Sequence, residues 1–77
     1  MDVTEQVKAR IRVHRALPEP AQRLVLRKRA GLTQQELADI IGVTRVAICH
    51  WEKGRRVPDG KRLDAYIEAL DALRDAA

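Results

Sequence analysis

Few side chains in this 77-residue sequence suit covalent chemistry. Serine and asparagine are absent, cysteine occurs once as Cys49, and histidine twice as His14 and His50. A nucleophile needs a base within hydrogen-bond reach, and a metal needs several ligands at defined spacing. Cys49 and His50 are neighbours, His14 is distant, and no glycine-rich phosphate loop occurs. The expectation is therefore a protein that is not an enzyme and has no cofactor and no metal. What remains is cationic: Lys and Arg total 15 against 11 acids, for a net charge of +4. A guanidinium forks onto guanine O6/N7 or onto phosphate oxygens, so the chemistry on offer is recognition of base edges and anions.

The charge is unevenly placed. Residues 1–31 carry net +5, residues 32–51 net −1, residues 52–62 net +3 and residues 63–77 net −3. Two basic stretches flank a nearly neutral centre, which suggests a polyanionic partner with the acidic end turned away from it. With one cysteine no internal disulfide forms, and a reducing compartment is expected. No apolar run approaches a membrane span and the acidic, polar start is no signal peptide, so a cytoplasmic protein is expected.

Elements that could position these cations follow from periodicity and punctuation. Aromatics are nearly absent, so the core must be aliphatic, and no stretch alternates with period two. The expected fold is all-α, a small bundle of about five helices. Asp2 with Glu5 forms a capping box that opens a first helix running to about Leu17, with Val3, Val7 and Ile11 in a stripe that either His14 or Ala16-Leu17 extends. Pro18 stops it, and Pro20 suits the first turn of a second helix with Leu24, Val25 and Leu26 as apolar contacts. Gly31 ends that helix, and Thr33 with Glu36 caps a third, carrying Leu37, Ile40 and Ile41. Thr44 caps a fourth helix that ends near Glu52, and the last opens after Asp59. The division expected is an accessory helix over residues 1–17 and a main helical domain over residues 20–77.

The third and fourth helices meet across Ile41-Gly42-Val43-Thr44. So tight a connection forces a large angle, for which glycine supplies the left-handed conformation. Ala38 is small enough for close approach, and Ile48 and Trp51 fall where they would face inward against Leu37 and Ile41. This is the spacing of a helix-turn-helix. Ala30–Ala38 (AGLTQQELA), Ile41-Gly42-Val43 and Trp51–Pro58 (WEKGRRVP) together resemble the phage Cro/repressor, or Xre, family. The resemblance covers roughly residues 20–70 and implies a helical bundle that reads duplex DNA, usually as a dimer on a palindromic operator. A helix ahead of Pro18 departs from the family pattern.

A recognition helix offers its first turn and outward face to base edges. Here that helix is residues 44–52. Arg45 suits guanine, Val46 suits a thymine methyl, Cys49 permits close approach, and His50 donates to a base or phosphate. By resemblance, Arg45, Val46 and His50 fall where the family reads bases. Gln34 opens the third helix, where free N–H groups suit a phosphate, and inherits that role from the family. Thr44 is expected to do the same, and Lys53, Arg55, Arg56 and Lys61 to flank the groove on the backbone. The resemblance also implies an ion pair between Glu52 and Arg27.

The leading reading is a sequence-specific duplex DNA-binding regulator like Cro or a minimal repressor. The alternative is the antitoxin of a toxin–antitoxin pair, with the first helix as its protein-binding element. For that helix the expectation is packing on its own domain through Tyr66, Ile67 and Leu70, with a weak homodimer completed on DNA.

Overall fold

The computed structural model describes residues 2–76, with side-chain positions for all of these except 13–16. Five helices follow in order: α1 (Val3–Ala16), α2 (Pro20–Arg29), α3 (Gln34–Ile41), α4 (Arg45–Glu52) and α5 (Gly60–Ala76). No strand occurs among the described residues. The expected contribution of His14 to the stripe of α1 falls outside the described side chains.

Local chemistry sets most boundaries. The Glu5 N–H donates to Asp2 Oδ1 at 2.8 Å, opening α1. Pro20 occupies the first turn of α2, where a missing N–H costs nothing. At the other end the Leu32 N–H reaches the Arg27 carbonyl at 3.2 Å and the Gly31 N–H reaches Lys28 at 3.0 Å. This doubly bonded ending relies on a residue in the left-handed region at Gly31. Thr33 and Glu36 form the expected reciprocal cap of α3, at 3.0 and 3.1 Å. Thr44 Oγ1 accepts from the Ala47 N–H at 3.1 Å and opens α4.

The core joins α2–α5 around Leu37, Ala38, Ile48, Trp51, Tyr66, Leu70 and Leu73, with Leu17 added from the link before α2. Trp51 and Tyr66 rings meet at 4.8 Å between centroids, tilted by 44°, and tie α4 to α5. The main packings are α3 on α4, α2 on α4 and α5, and α3 on α5; α1 takes no comparable part.

Three expectations are corrected here. Val3, Val7 and Ile11 do not pack on Tyr66, Ile67 and Leu70; they are 76, 51 and 45% exposed. In α1 it is Ala9 that is half-buried, and it lies on the side opposite this stripe. Ile40 is exposed rather than packed, because the close approach at Ala38 turns Leu37, Ala38 and Ile41 inward. Val25 is exposed too, since α2 faces the core with Arg23 and Arg27.

Candidate nucleic-acid interface

The turn between α3 and α4 is built on Gly42, whose φ is +88°. The Gly42 and Val43 N–H groups both donate to the Ala38 carbonyl, at 2.8 and 3.0 Å. Ala38 is fully buried, so α4 lies close against α3 at this point. Ile48 and Trp51 face the core as expected. That leaves Thr44, Arg45, Val46 and Lys53 exposed and Cys49 and His50 half-buried. His50 Nδ1 is buried without a partner, so Nε2 is the ring nitrogen left for an outward bond.

Arg45 is tied back to the core through a short relay. Its Nη1 stands 3.5 Å from Gln34 Oε1, at the long limit of a hydrogen bond. Gln34 Nε2 donates to Glu52 Oε1 at 3.1 Å. Glu52 in turn takes a two-pronged bond from Arg27, with Nε to Oε2 at 2.6 Å and Nη2 to Oε1 at 2.9 Å. The orientation of the Gln34 amide follows from its neighbours: a carboxylate only accepts and a guanidinium only donates. The Arg27–Glu52 side chains are 8 and 3% exposed, so the pair implied by the resemblance is present and buried. The hydrogen bond and charge of Glu52 raise the pKa of Arg27 above its ordinary value, against the opposing effect of burial. Arg27 Nη1 also donates to the Leu32 carbonyl at 2.9 Å, clamping the link between α2 and α3.

Arg23 was not singled out by its sequence position, yet it is buried. Its Nε donates to the Pro18 carbonyl at 2.6 Å and its Nη1 to the Trp51 carbonyl at 2.9 Å. A cation on the last carbonyls of α4 complements that helix's dipole. The usable signal was its spacing: Arg23 and Arg27 lie four apart, on one face of α2. Beside them the Tyr66 hydroxyl is buried without a hydrogen-bond partner. Burial pushes its pKa up to about 12, an effect the charge of Arg23 opposes.

The loop after α4 carries Lys53, Arg55 and Arg56, all exposed, with Lys61 exposed at the start of α5. Its backbone is fixed by the Arg55 N–H on the His50 carbonyl at 2.9 Å and by buried Pro58. Gly54, at φ +72°, approaches Pro20 so closely that a Cβ there would stand 3.0 Å from the proline ring. A groove beside α4 is lined by Val46, His50, Arg56 and Arg62, among others. Arg62 is a cation of this groove that the sequence reading passed over in favour of Lys61. Among the described residues no group of His, Cys, Asp or Glu suits a metal ion, and no helix is long and apolar enough to cross a membrane.

A two-helix unit of this geometry, with a capped second helix projecting cationic and small side chains, is a helix-turn-helix. Residues 25–74 match the helix-turn-helix family model, and the chain belongs to that family, in its Xre/Cro-like form. It is 45% identical over 49 residues, 64% of its length, to the uncharacterized HTH-type transcriptional regulator YqaE of Bacillus subtilis, covering 42% of that protein. It is 59% identical over 32 residues, 42% of its length, to an uncharacterized HTH-type transcriptional regulator of Methanothermobacter thermautotrophicus, covering 46% of it. The chain thus spans less than half the length of either relative. No solved structure matches. Neither relative's name lends support to the antitoxin alternative.

Proposed function

We propose that the chain is a sequence-specific double-stranded DNA-binding transcriptional regulator, acting as a Cro-like repressor from the cytoplasm. Residues 20–77 form the DNA-binding unit and residues 1–17 an accessory helix. α4 enters the major groove, where Arg45, Val46, Cys49 and His50 meet base edges. Gln34 and Thr44, at the starts of α3 and α4, and Lys53, Arg55, Arg56 and Lys61 bind phosphates and set the docking. Arg62 joins them from the groove beside His50. Two copies occupy a palindromic operator, one per half-site.

The observation that carries this reading is the relay behind Arg45. A reading residue needs to be held in direction yet free to leave its resting partner for a base. Arg45 is exposed and loosely bound at 3.5 Å to Gln34, while Gln34 is anchored to the buried carboxylate of Glu52. Selection of bound sequences from a random duplex pool tests the reading. The expected result is a palindromic consensus containing a G·C pair in each half-site. Recovery of no consensus, with binding set by salt alone, would overturn it.

A further inference from the structure

α1 turns its apolar stripe away from its own domain. Gln6, Ala9 and Arg10 border the groove that ends at Val57–Gly60 and Leu63, whereas Val3, Val7 and Ile11 point outward. A 14-residue helix is marginal in water unless such a stripe is covered. Lys8 borders it on one side, with Arg12 one turn on and farther round the helix, both exposed.

The outer side of α5 has the complementary character. Asp64, Glu68, Asp71 and Asp75 are spaced four, three and four apart, which places them on one face, and all are exposed. Among them only Asp71 is paired within the chain, loosely, to Arg74 at 3.5 Å. Half-buried Leu63 and Ile67 form an apolar shoulder beside this stripe. The order of charge along the two helices is also opposite. Asp2 and Glu5 precede Lys8, Arg10 and Arg12 in the first, while Lys61 and Arg62 precede the four acids in the last. Side by side and parallel, Val7 falls level with Ile67 and Lys8 with Glu68, beyond the Leu63 end that each copy's own α1 borders.

We propose that α1 of one chain docks on the outer face of α5 of a second copy, and that two copies make this exchange reciprocally about a two-fold axis. The occupant follows from charge. Pairing α1 with another α1 would set two net-positive helices together, with only Asp2 and Glu5 to oppose Lys8, Arg10 and Arg12, whereas α5 supplies four acids to meet them. The chain's own α5 does not serve, because α1 already lies at its Leu63 end with the stripe turned outward. The inference supplies the surface for the homodimer of the functional reading, but its test involves no DNA, so either fails without the other.

Sedimentation equilibrium in low salt, across micromolar to millimolar protein, is the measurement, with circular dichroism confirming that each variant is folded. Lys8→Glu/Arg12→Glu alone and Asp64→Lys/Glu68→Lys alone should each weaken the dimer at least about tenfold. An equimolar mixture of the two should restore it, because both interfaces of the mixed dimer then carry opposite charges. Val7→Glu, at a position exposed in the monomer, should abolish the dimer while leaving the spectrum of the dilute protein unchanged. A wild-type chain that stays monomeric throughout, an α5 variant that dimerises like the wild type, or a mixture that fails to recover would overturn the proposal.

Discussion

Arg45, Gln34, Glu52 and Arg27 join three helices by side chains alone, from an exposed guanidinium to a buried one. Each end of the relay makes a different prediction. Arg45→Ala should relax preference at one base pair per half-site and cost about 1–3 kcal/mol on the preferred sequence. A selected consensus identical to the wild type's would remove Arg45 from base reading. Glu52→Ala leaves the Arg27 guanidinium buried without its carboxylate, and removing one member of such a pair costs about 3–5 kcal/mol. Thermal melting checks this, with an unchanged midpoint as the contrary result. Tyr66 adds a dependence on alkaline pH. Its folded pKa, near 12, stands above the ordinary value of 10, so the folded state holds the proton more tightly. The stabilisation is full below pH 10 and is lost as pH rises through about 12, amounting to roughly 3 kcal/mol in all. Tyr66→Phe should flatten denaturation curves between those pH values; an unchanged slope would show that another group titrates there.

At the scale of elements, what was legible in the sequence was what is decided locally. Thr33, Thr44, Gly42 and Pro20 act on backbone groups within a turn of themselves, so caps, turn and helix order were readable. Which side of a short helix faces inward is decided by its neighbours. In α3 the approach at Ala38 overrode the apolar character of Ile40, and in α2 two arginines displaced Val25 from the inner face. The carbonyls of Pro18, Leu32 and Trp51 that make arginine acceptable there come from separate segments, so the four-residue spacing from Arg27 was the one local sign of Arg23. The basic loop was visible as composition, and its fixed backbone gives it a testable role. Replacing any one of Lys53, Arg55 and Arg56 by Ala should weaken all DNA sequences alike and reduce the slope of log K against log salt by about one. A changed consensus in one of these variants would make that side chain a base contact.

Across the whole molecule the core belongs to α2–α5, and charge is segregated around it. The cations of α4 and the following loop lie at one region, while the acids of α5 face outward from the core formed by Tyr66, Leu70 and Leu73. α1 contributes little to that core, and the link after it contributes Leu17, which is buried. Removal of residues 2–12 therefore takes away side chains that are exposed apart from half-buried Ala9, and keeps Leu17, Arg23 and the contacts of α2. A shift of 1 kcal/mol in a domain of this size moves Tm by about 4–8 °C, so melting is a sensitive gauge. In dilute protein the deletion should move Tm by no more than about 2 °C, against the several degrees expected had α1 completed the fold. With rising concentration the full-length chain should gain Tm by mass action as copies pair, and the shortened chain should not. A large loss of Tm at high dilution would show that α1 packs on its own domain after all, and a concentration dependence surviving the deletion would place the contact between copies elsewhere.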